Sequence, residues 1–145
     1  VEATITNTAV ITANVVTPIT VRETINAEEQ SLLTITKSVS PVPVTENGTL
    51  TYTFVIQNLG NTAATEETGV VITDTFNPVL KNLTATFNGT AWTEGADYTY
   101  DEITGMFASV AGKITVPAAT YTQDTTTGAW GINPGVSTLV ISGTV

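Results

Sequence analysis

The chain has 145 residues, enough for one domain with a core of its own. Four basic against thirteen acidic residues leave a net charge of -9, which argues against nucleic acid and against an anionic membrane surface as partners. Cysteine and histidine are both absent, which excludes disulfides and zinc-thiolate sites and removes the usual general base and the commonest metal ligand, so no cofactor and no metal is expected.

Threonine and valine, stiff at Cβ and suited to a pleated surface, dominate the composition. No stretch of a dozen residues combines helical periodicity with helix-forming residues, and no apolar run nears the roughly 18 residues of a membrane span. In chain order, ATITNTAVITA alternates strictly, and NVVTPITVRETI continues the extended pattern, with Pro18 marking an edge or a bulge. AEEQ is a polar break. This arm, 1–30, differs from 31–145, where strands are separated by clear turn signals. LLTITKSV leads into the stiff connector SPVPV; TLTYTFVIQN is closed by LGNT; GVVITDTF follows an acidic loop. LKNLTATF meets an Asn-Gly dipeptide that predicts a tight hairpin. AWTEGADYTY, GMFASV and KITV are shorter strands; ATYTQ and GAWGI flank DTTTG as a second hairpin; PGVSTLVISGTV runs to the last residue. Short strands at this spacing predict an all-β sandwich of Greek-key, immunoglobulin-like type. Both ends of the chain read as cut strands or as exposed pairing edges.

Parity assigns the faces, because side chains along a strand alternate. Leu33, Ile35, Lys37 and Val39 share a face that reads as buried, with Lys37 in its middle. Val70, Ile72, Asp74 and Phe76 share another, and Ile5, Asn7, Ala9 and Ile11 a third. An amine, a carboxyl and a carboxamide each interrupt an apolar face. Burying a lone charge costs several kcal/mol, so such groups are paired or neutralised. The plain expectation is a buried Lys–Asp ion pair with a hydrogen-bonded Asn. The sharper one is chemistry. Desolvation favours a neutral amine beside a protonated acid. Such an amine is a nucleophile, and such an acid polarises an amide and shuttles protons. The product is an isopeptide bond from Lys37 Nζ to Asn7 Cγ, with Asp74 as the acid. Asn58, on the face of Leu50, Tyr52, Phe54 and Ile56, is the backup acceptor; its other reading is a side chain that hydrogen-bonds the LGNT turn.

LTITKSVSPVPVTENGTLTYTFVIQNLGNT with VVITDTF resembles a conserved repeat of bacterial surface proteins, domain of unknown function eleven, over roughly residues 32–80. The matching pieces are Lys37 with Ser38, Tyr52 to Asn61, Val71 to Thr75, and Ile5 to Ala9. The resemblance implies a sandwich of Gram-positive stalks, pili, adhesins or spore appendages, extracellular on the cell or spore surface. It also implies Lys37 as amine, Asp74 as acid and Asn7 as acceptor. In this family the Asn-x-Ala strand closes the domain, whereas here it precedes the lysine strand. The chain thus reads either as one period of a tandem array or as a subunit whose first, extended strand is donated to a neighbour. In the second case the strand is expected to fill an open edge beside GVSTLVISGTV, with residues 14–31 extended and able to leave the parent domain.

The leading expectation is a structural fibre subunit whose partner is a copy of itself, crosslinked once per subunit rather than turning over substrate. An adhesin module with an intramolecular bond is the alternative, its receptor unspecified, with Trp92, Tyr98, Tyr100, Tyr121 and Trp130 as a glycan platform against their reading as core and hairpin aromatics. Asp97, Asp101, Glu102 and Asp124 suggest calcium only weakly, since no EF-hand spacing is present. Asn47, Asn82 and Asn88 fit the glycosylation sequon, a pattern that arises often by chance.

Overall fold

A computed structural model describes residues 3–13, 16–27 and 29–145, with the side chains of 3–7, 11–13 and 16–27 excepted. The chain divides into two compact units, Val1–Gln30 and Ser31–Val145. Among the described residues it is all-β apart from a 3-10 turn at Glu66–Thr68, with every ladder antiparallel and one isolated parallel bridge.

In the first unit, β1 (Ala3–Ala13) pairs antiparallel with β2 (Val16–Ala27), with an irregularity between Ile11 and Ala13. The expected extended linker over 14–31 is therefore corrected: most of it folds back as β2, because PITVRETI is itself an alternating strand. The ladder sets Ile5 against Ile25, Ala9 against Val21 and Ile11 against Ile19, so one face of the hairpin is apolar by register. Asn7 and Glu23 interrupt that face as a directly opposed pair.

In the second unit the described strands form two main sheets. One runs β3 (Leu33–Ser40), β4 (Thr49–Asn58), β12 (Gly135–Thr144), β6 (Lys81–Phe87), β7 (Thr90–Ala91). The other runs β5 (Thr73–Thr75), β9 (Met106–Ser109), β8 (Tyr98–Asp101). A separate hairpin joins β10 (Thr120–Gln123) to β11 (Trp130–Asn133). The two main sheets share a sandwich-like core. Leu50, Tyr52, Phe54 and Ile56 of β4 and Leu139 and Ile141 of β12 meet Phe76 and Phe107, as strict alternation along both strands requires. Gly135 and Gly143 continue the inward face of β12 where space is shortest: a Cβ at Gly135 would lie 1.8 Å from the Pro117 carbonyl, and one at Gly143 would lie 2.8 Å from Leu80 Cβ.

Asn88 and Gly89 turn β6 into β7 with φ of 47° and 81°, as a two-residue hairpin demands. Asn47 and Asn82 also have positive φ, so all three sequon asparagines occupy backbone positions that asparagine tolerates better than most residues.

Several expectations fail in this unit. AWTEGADYTY is not one strand: Ala91 ends β7, Tyr98–Asp101 form β8, and the chain turns between them at Gly95, whose φ is 81°. Of GVVITDTF only Thr73–Thr75 form a strand. β12 is not an open edge: β4 pairs along one side and β6 along the other, so no further strand can be added beside it. KITV does not form a strand of its own; Val116 makes only an isolated bridge to Ala64, while Ile114 and Val116 are buried.

Candidate functional site

β3 lies at the rim of the larger sheet, and register sets Lys37 opposite Phe54 of β4. Phe54 and Tyr52 point into the core by alternation, and Lys37 shares their side of the sheet. Its ammonium lies 4.8 Å from the Tyr52 ring centre, 5.7 Å from that of Phe54 and 5.4 Å from that of Phe76. Electron-rich ring faces attract a cation at these distances. Tyr52 and Phe76 pack with ring centres 4.7 Å apart and planes tilted by 37°, and form the floor of the site.

Asp74 reaches the same point from the facing sheet. β5 pairs it with Phe107 of β9, and Phe76 N–H donates to Gly105 O at 2.9 Å beside it. Asp74 Oδ2 forms an ion pair with Lys37 Nζ. That oxygen is buried and takes no other hydrogen bond among the described residues. Parity therefore brought together two of the three residues it selected.

The face around Lys37 is not closed, contrary to expectation. The Lys37 side chain is 42% exposed, against 19% for Asp74, and Ile35 and Val39 are 50% and 39% exposed. The reason is architectural. Among the described residues β5 is an edge strand of the facing sheet, as β3 is of the larger one. The space left is an apolar groove of about 310 Å³ lined by Leu33, Ile35 and Ile56 on one side and Val70–Thr73 on the other.

Asn58 is brought to a different place. It faces Leu33, four residues along β4 from Phe54 and so about 13 Å from the Lys37 level at the usual strand rise. It is fully buried, and its Oδ1 accepts from Leu32 N–H and Gly60 N–H at 2.9 Å each, while its Nδ2 donates to Thr62 O at 2.7 Å. These bonds hold the LGNT turn, the structural alternative, and leave the carboxamide beyond the lysine's reach. The Asn7 side chain lies outside the described residues; its backbone is in β1, opposite Glu23.

The remaining candidates are dispersed. Tyr98 is buried against Phe107, Trp92 stacks on Phe87 at 5.3 Å, and the Tyr100 hydroxyl bridges the Leu80 N–H and carbonyl at 2.9 Å each. Tyr121 donates to Leu59 O at 2.7 Å, and Trp130 is 68% exposed on the β10–β11 hairpin. The five aromatics do not form one platform. The acidic loop residues cap turns instead of converging. Asp101 accepts from Ile103 N–H at 2.8 Å, Asp124 from Thr126 N–H at 2.7 Å, and Asp97 pairs with Lys113 at 3.0 Å. Among the described residues no cluster of acidic side chains could hold a metal ion.

Sequence reasoning missed the aromatic floor, although Tyr52 and Phe54 share a face by the same parity that selected Lys37. Comparison with known proteins adds no relative: no family model, no curated protein and no solved structure matches the chain.

Proposed function

We propose that this chain is the structural subunit of an extracellular fibre, built head to tail by strand donation and sealed by a self-formed Lys37–Asn7 isopeptide bond. The observation that carries the reading is the Lys37–Asp74 pair, set on an aromatic floor next to an apolar groove that Ile35 and Thr73 line. A purely structural ion pair needs no such opening. A reactive pair awaiting its third member does.

The chemistry balances without any cofactor. The Lys37 ammonium passes a proton to the Asp74 carboxylate within their contact. The amine attacks Asn7 Cγ and forms a C–N bond. Asp74 takes the proton that the attacking nitrogen sheds and supplies the protons that the departing carboxamide nitrogen needs. The Cγ–Nδ2 bond breaks, the nitrogen takes up both protons shed by the lysine and leaves as ammonium, and Asp74 ends as the carboxylate it began as. Arrival of an apolar strand would expel water from the site and strengthen every one of these interactions. This is a single event per subunit, not turnover.

Intact mass and a denaturing gel on full-length material test the reading together. The expected result is a ladder that survives boiling, each linked subunit lighter by one ammonia. A chain that stays monomeric at its full mass sinks it.

A further inference from the structure

Resting on that reading, we infer that the donated element is the whole β1–β2 hairpin of a second copy, added antiparallel to the free edge of β5. The larger sheet has five strands and the smaller has three among the described residues. Two further strands on β5 would match them and would roof Leu33, Ile35, Lys37 and Val39. An added strand at β3, the edge of the larger sheet that carries Lys37, would widen that sheet and leave the face open.

The register supports β5 independently. β9 takes the backbone of Ile72 and Phe76 on one side, through Ser109 N–H to Ile72 O and Phe76 N–H to Gly105 O at 2.9 Å each. The backbone groups of Val71, Thr73 and Thr75 therefore turn to the opposite edge. Placing Asn7 opposite Asp74 in an antiparallel pair sets Ile5 with Phe76, Ala9 with Ile72 and Ile11 with Val70 on the inner face. The outer face receives Thr6 with Thr75, Thr8 with Thr73 and Val10 with Val71. Every pair matches in kind, and cross-strand pairs of this sort stabilise a sheet. Val10 and Val71, 56% and 47% exposed, cover each other in this register. The parallel register with the same Asn7–Asp74 pair sets Val10 against Asn77 and Val71 against Thr4. Directly opposed residues have their Cβ atoms about 5 Å apart, which puts the acid beside the amide and Lys37 across from both.

Chain length then decides whose hairpin it is. β3 and β5 run the same way, because Leu33–Ile35 line the groove with Val70–Thr73 and Lys37 meets Asp74. In the antiparallel register Ala3, and Ala27 opposite it, fall four residues beyond the Lys37 level. Leu32 is held five residues before that level by Leu59 N–H to its carbonyl at 2.8 Å and by its own N–H to Asn58 Oδ1 at 2.9 Å. The two points are nine residues apart along the strand, about 30 Å. Five steps of chain join Ala27 to Leu32, about 18 Å when fully extended. A chain cannot dock its own hairpin in this way, so the hairpin belongs to a neighbour.

The absence of cysteine makes disulfide mapping clean. In full-length chains carrying Asn7→Ser, which cannot form the isopeptide, paired substitutions are oxidised and run on denaturing gels with and without reductant. Thr8→Cys with Thr73→Cys is expected to give a reducible intermolecular ladder. Thr6→Cys with Thr73→Cys reports the parallel register, and Thr8→Cys with Thr36→Cys or Ser38→Cys reports docking at β3. A ladder from either of those in its place, a disulfide within one chain, or no disulfide from the expected pair while the unsubstituted protein still forms its isopeptide ladder, overturns the inference but leaves the proposed function standing. Loss of the ammonia-deficient ladder in the unsubstituted protein overturns the function itself, and the disulfides then still report where the hairpin docks.

Discussion

Lys37 and Asp74 meet from different sheets, and the buried Asp74 oxygen has as its counter-ion a lysine whose side chain is nearly half exposed. This asymmetry separates two roles for the pair. Lys37→Arg keeps a permanent positive charge but provides no neutral amine. In the Asn7→Ser chain its thermal midpoint is expected to stay within a few degrees of that with lysine, consistent with the modest worth of partly exposed ion pairs. The boil-resistant ladder and the ammonia loss are expected to vanish. A ladder that persists with arginine at 37 would show that another lysine forms the bond.

Asp74→Asn is expected to leave the sheets intact, since the substitution keeps shape, and to slow crosslinking by at least about 100-fold, the scale of a lost general acid–base group. Time-resolved gels with a pulse of freshly folded subunit measure it. An unchanged rate would remove Asp74 from the chemistry.

Asn58→Ala separates the backup acceptor from its structural role. The substitution strands the Leu32 and Gly60 N–H groups and the Thr62 carbonyl. A loss of about 2–4 kcal/mol of folding stability is expected, measured by denaturant unfolding of the Asn7→Ser chain. The crosslink in the Asn58→Ala chain should still form and still cost one ammonia. Loss of the crosslink in a variant shown to be folded would return Asn58 as the acceptor.

Gly105 sits at φ 75°, and a Cβ there would approach the Phe76 carbonyl to 2.5 Å. Gly105→Ala is expected to cost about 1–3 kcal/mol and to slow crosslinking as well, because the Phe76 N–H bond to Gly105 O steadies the strand that presents Asp74. Denaturant midpoints and crosslinking rates on the same sample test whether the two effects travel together.

Acid acts on the turns. The Asp97 carboxyl is held below the ordinary range chiefly by Thr93 N–H, helped by Lys113. Ile103 N–H comes first for Asp101, and Thr127 N–H, then Thr126 N–H, for Asp124. In each case the folded pKa is below the unfolded one, so the stabilisation is complete above about pH 4–5 and is lost as pH falls through the lowered folded value. The thermal midpoint of the Asn7→Ser chain should hold steady from neutral pH to about 5 and decline below about 4. A flat profile through that range would assign these turns no weight.

Much of this architecture was legible in the sequence, and the reasons are local. The alternation of β4 and β12 and the Asn88–Gly89 turn follow from rules that act within a few residues. Lys37 and Asp74 were legible as inward-facing by parity alone. Parity gives the side of a sheet, however, and not what lies over it, so the openness above Lys37 was not readable. Nor was the central place of β12, which depends on pairing with β4 and β6 far away in the chain. PITVRETI was readable as a strand, but its return along β1 was not. Asn58 was ambiguous for another reason: a carboxamide at a strand end suits a turn and a reactive site equally, and only the position of Leu32 decides between them.

The unequal sheets carry a consequence for growth. A polymer made by passing a hairpin into the next groove has two unlike tips, one offering an empty groove and the other an unused hairpin. Such a filament is polar. Its length can be limited by a single capping molecule that fills the groove and offers no groove in return, and a hairpin peptide of residues 1–30 is the simplest cap of that kind.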